Sequence, residues 1–398
     1  MLYIMNIAKM VFPLFTLPYL TRILQVETYA IVSYVKAVMQ YVHIILMFGF
    51  GNSATKMIVR ANGDKDEQGR ITGGVLEAKG ILSGFTLAGL LLLILFIPLL
   101  RENIAYTLLA FLNIVITEMV ADFLFRGVDR MEVITIRFMI SKIISTVLTF
   151  VFLKNDSQIL MVPLFDILGS AVALLVSFHE IKKMGIRIRT VKISYAFEML
   201  KESAVYFFSN MATTAFGALN TILVGIFATK TDVSYWSNCM QLVTAVQGLY
   251  APINSGVYPT MVRTKSFKFL KKVFFIVMPV VIAGCIFCYF AAEFILATIF
   301  GVQYIPAVPV FRMLIPVLLI SFPAMLFGWP ALDPIDKHRE TTITTVISAI
   351  VQVFGLFLLI LTKHFTLINI AVLRGLTEIL LLTLRSSLCF RYRNEYLS

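Results

Sequence analysis

Seven basic residues, Lys9, Lys36, Arg137, Lys142, Arg312, Arg374 and Arg385, sit inside long apolar runs of the sequence. A charge at the centre of a membrane helix costs about 2.5 to 3.5 kcal/mol on insertion scales, so such residues face water, a partner or a ligand. Lys9 and Lys36 stand out because neither has an acidic residue one helical turn away. Others have local answers. Arg374 and Glu378 are four apart, as are Glu118 and Asp122, and Asp122 and Arg126, a spacing that allows pairing on one helix. Asp166 and Glu293 lack such neighbours and are expected either to answer Arg137, Lys142 or Arg312 across helices or to act as coupling sites.

Polar residues accompany these cations at helical spacing. Ser33, Lys36, Gln40 and His43 fall on one face, and Asn6, Lys9, Pro13 and Thr16 on another. The second half repeats the pattern with Tyr206, Asn210, Thr213, Gly217 and Asn220, then with Asn238, Gln241, Ala245 and Gly248. A polar line in an apolar helix points to a wet cavity or to hydrogen bonds between helices. For the lysines packing alone does not satisfy an ammonium, which favours the cavity. His43 serves equally as a polar helix contact or as a cavity group.

The elements that must carry these residues follow from composition. Of 398 residues, 59% are hydrophobic and 14% charged, against about a quarter charged in a soluble domain. This predicts an all-α polytopic membrane protein. Twelve apolar segments can be drawn: 3–24, 28–50, 80–100, 104–125, 131–153, 158–178, 203–229, 233–258, 273–300, 305–327, 342–362 and 365–390. A span needs about 20 apolar residues, and continuous runs of this length are helices, since barrel strands are shorter and alternate. The N-terminus lacks a small-residue cleavage site, so the first segment is expected to stay, although the true start could lie upstream of Met1.

Basic residues report orientation. The even-numbered loops and the tail carry 22 Lys and Arg, the odd-numbered loops five. By the positive-inside rule both termini are then cytoplasmic. The longest linker, 179–202, separates an N-terminal six-helix lobe (1–178) from a C-terminal one (203–398). Its Ile186-Arg187-Ile188-Arg189-Thr190-Val191-Lys192-Ile193 reads as a tether or as a segment lying on anionic headgroups. The halves echo each other: Glu27 to Arg60 spans 33 positions and Asp232 to Arg263 spans 31. Two lobes of equal parity predict parallel repeats with the substrate at a central cavity.

Several function classes are excluded. The net charge of +12 is spread over loops, with no nucleic-acid motif or basic face. Cys239, Cys285, Cys288 and Cys389 lie in or beside apolar runs without a completing metal cluster, so they are expected as buried packing. No Gly-rich nucleotide loop, no zinc-protease motif and no sizeable outer domain is present, so neither enzyme chemistry nor a cofactor is expected. Prolines at 13, 18, 163, 252, 279, 309, 316 and 323 are expected to bend or kink the helices.

Certain stretches resemble a known family. Pro18-Tyr19-Leu20-Thr21-Arg22-Ile23-Leu24, Tyr29-Ala30-Ile31-Val32-Ser33-Tyr34 and Phe48-Gly49-Phe50-Gly51-Asn52-Ser53-Ala54-Thr55-Lys56 look like the N-terminal signature of Wzx-type polysaccharide flippases. These belong to the multidrug, oligosaccharidyl-lipid and polysaccharide exporter superfamily. Asn220 to Phe227 and Val233-Ser234-Tyr235-Trp236-Ser237 are similar to that family's span seven and the entry to span eight. Gln25 and Ala30 stand where the family usually has Gly.

The resemblance implies a bacterial inner-membrane flippase. Such a protein moves an undecaprenyl-diphosphate-linked oligosaccharide to the periplasmic leaflet by alternating access, for O-antigen lipopolysaccharide, capsule or exopolysaccharide, beside other polysaccharide assembly proteins. On that reading Lys9, Arg22, Lys36, Lys142 and Arg374 would hold the diphosphate. Asn6, Gln40, Asn210, Asn220 and Gln241 would bond sugar hydroxyls, leaving His43, Asp166 and Glu293 for coupling or pairing. A cation-coupled multidrug exporter of the same superfamily is the alternative, although the first two spans of each half lack a carboxylate away from their ends. A flippase for the peptidoglycan lipid precursor ranks third.

Overall fold

The computed structural model describes residues 2–396; the side chains of residues 2–11, 14, 205, 208–210 and 212–217 lie outside what it describes. The described elements are helical. In order they are α1 (Leu2–Ile23), α2 (Val26–Met47), α3 (Phe50–Arg60), α4 (Lys65–Phe96), α5 (Pro98–Glu102), α6 (Ile104–Glu118), α7 (Asp122–Gly127), α8 (Met131–Phe152) and α9 (Met161–Lys183). There follow α10 (Ile193–Phe227), α11 (Lys230–Thr264), α12 (Phe267–Phe290), α13 (Ala292–Ile299), α14 (Val308–Leu326), α15 (Trp329–Leu332), α16 (His338–Leu361) and α17 (Leu367–Arg391).

Among the described residues nine helical stretches are long and apolar enough to cross a membrane. The protein is therefore a multi-pass membrane protein of all-α class. The remaining expected segments, 3–24, 203–229 and 233–258, fall on α1, α10 and α11. Exposed large side chains agree with a lipid-facing exterior, for example Phe275, Phe287 and Phe290 on α12 and Leu92, Leu95 and Phe96 on α4.

The chain packs as two compact units, Met1–Ile222 and Leu223–Ser398, with the division inside α10. In the first unit α9 packs along both α8 and α6, α1 on α8, and α2 on α6 and α4. α8 and α9 approach closely at Gly169, where a Cβ would stand 2.4 Å from the Ser141 carbonyl oxygen of α8. In the second unit α14 is the buried centre, touched by α11, α12 and α17, with α16 on α17. Its residues Phe311, Leu314, Val317 and Phe322 are almost fully buried.

Helix breaks place the polar residues. The second expected segment ends early because Phe48 and Gly49 both adopt positive φ, +39° and +78°, closing α2 and starting α3. The new helix is strongly two-faced: Phe50, Ala54 and Ile58 are buried, while Lys56 and Arg60 are exposed. The fourth segment also breaks. α6 stops at Glu118 and α7 begins at Asp122, so Glu118 and Asp122 do not share a helix, and Asp122, although four residues from Arg126 on α7, pairs with Arg137 of α8. The two carboxylates instead reach different helices, as described below.

The prolines divide into two roles. Pro13, Pro18, Pro252, Pro279, Pro316 and Pro323 lie inside helices. Pro163 and Pro309 lie in the first turns of α9 and α14, where the missing N–H has no intrahelical partner to lose. The linker is not a loose tether: Arg189 N–H donates to the Gly69 carbonyl at 3.2 Å, Val191 N–H donates to Glu77, and Arg189 pairs with Asp66 at 2.6 Å.

Candidate functional site

A cavity of about 430 Å³ opens in the N-terminal unit, lined by residues of α1, α2, α6, α8 and α9. That volume is in the range of small-molecule sites. Its charged groups are Lys36 from α2, Lys142 from α8 and Asp166 from α9. Lys142 Nζ lies 3.9 Å from Asp166 Oδ1. Ser145 Oγ donates to the same carboxylate, so Asp166 already has a hydroxyl and an ammonium partner. No ion pair or hydrogen bond to Lys36 is found among the described residues. Two ammoniums against one carboxylate leave the hollow with an excess of one positive charge, and Ser33, Thr146 and Asn113 add neutral hydrogen-bonding groups. Such a site favours an anion with several oxygens.

Local packing explains why these groups meet. Gly169 lets α9 press against Ser141, the residue before Lys142, and Asp166 lies one turn earlier on α9. Ser170 then bonds Asn113 Oδ1 at 2.7 Å and the Thr117 hydroxyl at 3.0 Å, joining α9 to α6. On α2, Ser33 and Lys36 line the cavity, and Lys36, Gln40 and His43 are all exposed along one face.

None of the other expected site residues with described side chains lines this cavity. Lys9, Asn6 and the side chain of Asn210 lie outside the described residues. Arg22 is exposed in the last turn of α1 and is not among the cavity-lining residues. In the C-terminal unit Arg374 pairs with Glu378 at 3.3 Å, as the four-residue spacing implied. Asn220 on α10 is buried, and Gln241 on α11 is partly buried. Asp166 answers Lys142 across helices, whereas Arg137 pairs with Asp122 and Arg312 donates to the Tyr289 carbonyl at 3.2 Å. Glu293 is exposed at the start of α13.

Two polar clusters were not expected. His43 Nδ1 lies 2.7 Å from Glu118 Oε1 while Lys79 Nζ lies 3.0 Å from Glu118 Oε2. In the C-terminal unit the buried Arg385 donates to the Ala324 carbonyl at 2.6 Å and to Thr345 Oγ1 at 3.0 Å. The four cysteines are free thiols, three buried and Cys288 partly so, in keeping with packing. Among the described residues no group of three or more metal-binding side chains occurs.

Comparison with known proteins bears on what this fold is. The family described as Polysaccharide biosynthesis protein matches residues 1–265. The chain belongs to this family. A protein of Shigella dysenteriae named as an O-antigen transporter is 25% identical over 279 residues, covering 68% of each chain. Its namesake in Escherichia coli K12 is 27% identical over 259 residues, covering 63% of this chain and 61% of that one. Both relatives are named as transporters.

Solved structures show the fold. An inward-facing multidrug resistance MATE family transporter of the MOP superfamily superposes with a TM-score of 0.73 at 15% identity, over 96% of both chains. The lipid II flippase MurJ in an inward closed conformation also scores 0.73, at 14% identity, over 98% of this chain and 87% of that one. The exporter-superfamily fold expected from the N-terminal signature is thus present.

Proposed function

We propose that this protein is a flippase for an undecaprenyl-diphosphate-linked oligosaccharide in surface polysaccharide assembly. On this reading it works without chemistry, by alternating access, in the bacterial inner membrane with twelve spans and both termini cytoplasmic. The observation that carries the reading is the gathering of Lys36 and Lys142 in one membrane-embedded hollow against a single carboxylate. A diphosphate brings at least two negative charges and a ring of acceptor oxygens, which such a pair of ammoniums holds with charge-assisted hydrogen bonds. Lys9, Arg22 and Arg374 are further candidates for the diphosphate as it moves. Asn6, Gln40, Asn210, Asn220 and Gln241 are candidates for sugar hydroxyls. The O-antigen transporters among its relatives support the polysaccharide cargo.

Asp166 supports a second reading. A carboxylate in the hollow is what a cation-coupled drug exporter uses, and here it stands on α9, outside the spans where one was sought. The test is transport of a labelled undecaprenyl-diphosphate glycan in proteoliposomes, with a cationic drug and the peptidoglycan lipid precursor as competing cargoes. The parent is expected to move the glycan, and Lys36→Ala and Lys9→Ala to lose most of that transport. Normal transport by both variants rejects the phosphate site; drug movement without glycan movement selects the second reading.

A further inference from the structure

His43, Glu118 and Lys79 come from three helices of the N-terminal unit, α2, α6 and α4, and meet on one carboxylate. Glu118 is buried and its two oxygens are divided, Oε1 to the His43 ring and Oε2 to the Lys79 ammonium. Lys79 Nζ also donates to the backbone carbonyl of Glu118. That carbonyl is at the last residue of α6, where a helix leaves its acceptors unsatisfied and carries partial negative charge. The carboxylate and the helix end together therefore outweigh the single Lys79 charge.

An ionised carboxylate only accepts, so Nδ1 of His43 donates to Glu118 and Nε2 is the basic atom of the neutral ring. The ring is fixed at one edge by a buried partner, yet 47% of the His43 side chain is exposed. Its exposed side is the same α2 face that carries Lys36 and Gln40, since 36, 40 and 43 are helical neighbours. Imidazole gains charge near neutral pH, unlike any other unperturbed side chain. A proton on Nε2 turns this part of the face from neutral to cationic.

We propose that His43, held by Glu118 and Lys79, is a proton-linked contact for the anionic cargo, adding a switchable positive charge to the fixed charge of Lys36. This rests on the phosphate-binding reading above. It assigns His43 to cargo recognition and Glu118 and Lys79 to positioning it. Glu118 of α6 and Lys79 of α4 meet at the ring; elsewhere on these packed helices stand Glu27, Tyr29, Tyr34, Lys36 and Tyr41 of α2, Tyr106 of α6, and Lys65, Asp66, Glu67, Arg70 and Glu77 of α4. α1 and α5 also pack on α2 and bring Arg22, Arg101 and Glu102, with Lys9 of α1 outside the described residues.

The experiment measures binding of undecaprenyl diphosphate to the full chain in lipid nanodiscs at pH 6 and pH 8. The parent is expected to bind about tenfold more tightly at pH 6, the scale of one added charged hydrogen bond. His43→Gln keeps a donor for Glu118 but no titration, and should lose the tighter binding at pH 6, leaving only the probe's own titration, which adds negative charge at pH 8 and so has the opposite sign. His43→Lys carries a permanent charge that Glu118 can hold, and should bind tightly at both pH values. Thermal melting of each variant reports folding, and if His43→Gln fails to fold, the absence of tighter binding at pH 6 in His43→Lys decides. A pH difference undiminished in the variants, or absent from the parent, overturns the inference while leaving the phosphate site standing. A parent that binds no probe at either pH overturns the phosphate reading and this inference with it.

Discussion

The Lys142 ammonium and the Asp166 carboxylate lie 3.9 Å apart on helices that touch where Gly169 meets Ser141. Each side chain keeps partial access to the hollow, at 42% and 32% exposure, so the pair is open to a third partner. An anion that enters competes with Asp166 for Lys142.

Removing the competitor is therefore expected to strengthen anion binding. Asp166→Asn keeps an acceptor for Ser145 but removes the negative charge. Affinity for undecaprenyl diphosphate should rise several-fold, while Lys142→Ala should lower it by a similar factor, as expected for pairs screened by water in the cavity. Nanodisc binding assays read both. An unchanged affinity in Asp166→Asn means that the carboxylate does not face the ligand.

Gly169 tests the scaffold without touching a charge. A Cβ there would stand 2.4 Å from the Ser141 carbonyl oxygen and 3.2 Å from its Oγ, both on the adjoining helix. Gly169→Val must push α8 and α9 apart, which overpacking data place at about 1 to 3 kcal/mol. The melting temperature in detergent should fall and glycan transport with it, because Lys142 and Asp166 part. A variant that melts like the parent and transports normally excludes this packing as what builds the site.

Sequence reading reached the helical class, most helix positions and the cavity position of Lys36 because apolar run length and unpaired charge are local properties. It found Asp166 as a residue without a nearby partner, and the structure supplies Lys142. It missed the ends of α2 and α6. There the hydropathy runs on without interruption, and the breaks come from positive φ at Phe48 and Gly49 and from the turn at 119–121. The Glu118 pairing was consequently read along one helix, when its partners His43 and Lys79 are 75 and 39 positions away. Arg385 shows the same limit: its acceptor is a backbone carbonyl 61 positions distant, which no side-chain pattern encodes.

The Lys79 and Glu118 pair is buried on both sides, with side-chain exposures of 6% and 9%. Removing one partner leaves a charge buried without its counter-ion, expected at about 3 to 5 kcal/mol. Lys79→Met and Glu118→Leu should each lower the unfolding free energy in detergent by that order. The double variant should lose clearly less than the sum, since the apolar pair leaves no charge behind. Strict additivity in the cycle would show the two side chains to be energetically independent.

Gly49 bears on how the end of α2 is held. Its φ of +78° is strained for any residue with a Cβ, and a Cβ there would come within 2.6 Å of Tyr206 Cβ and 2.9 Å of the Phe207 backbone nitrogen and the Ser203 carbonyl oxygen. Around it Phe48 stacks on Phe207 with centroids 4.5 Å apart, and Ser53 bonds Ser203 at 2.6 Å, so α10 closes over the turn. Gly49→Ala therefore meets both backbone strain and a collision with backbone atoms that cannot swing aside. It is expected to destabilise by more than about 1 kcal/mol and to loosen α10 from α3, seen as faster amide exchange at residues 50–58 and 200–207. Phe207→Ala removes the stack without strain and should give the milder form of the same exchange pattern. Parent-like exchange in both variants would show that α10 does not depend on this turn for its place.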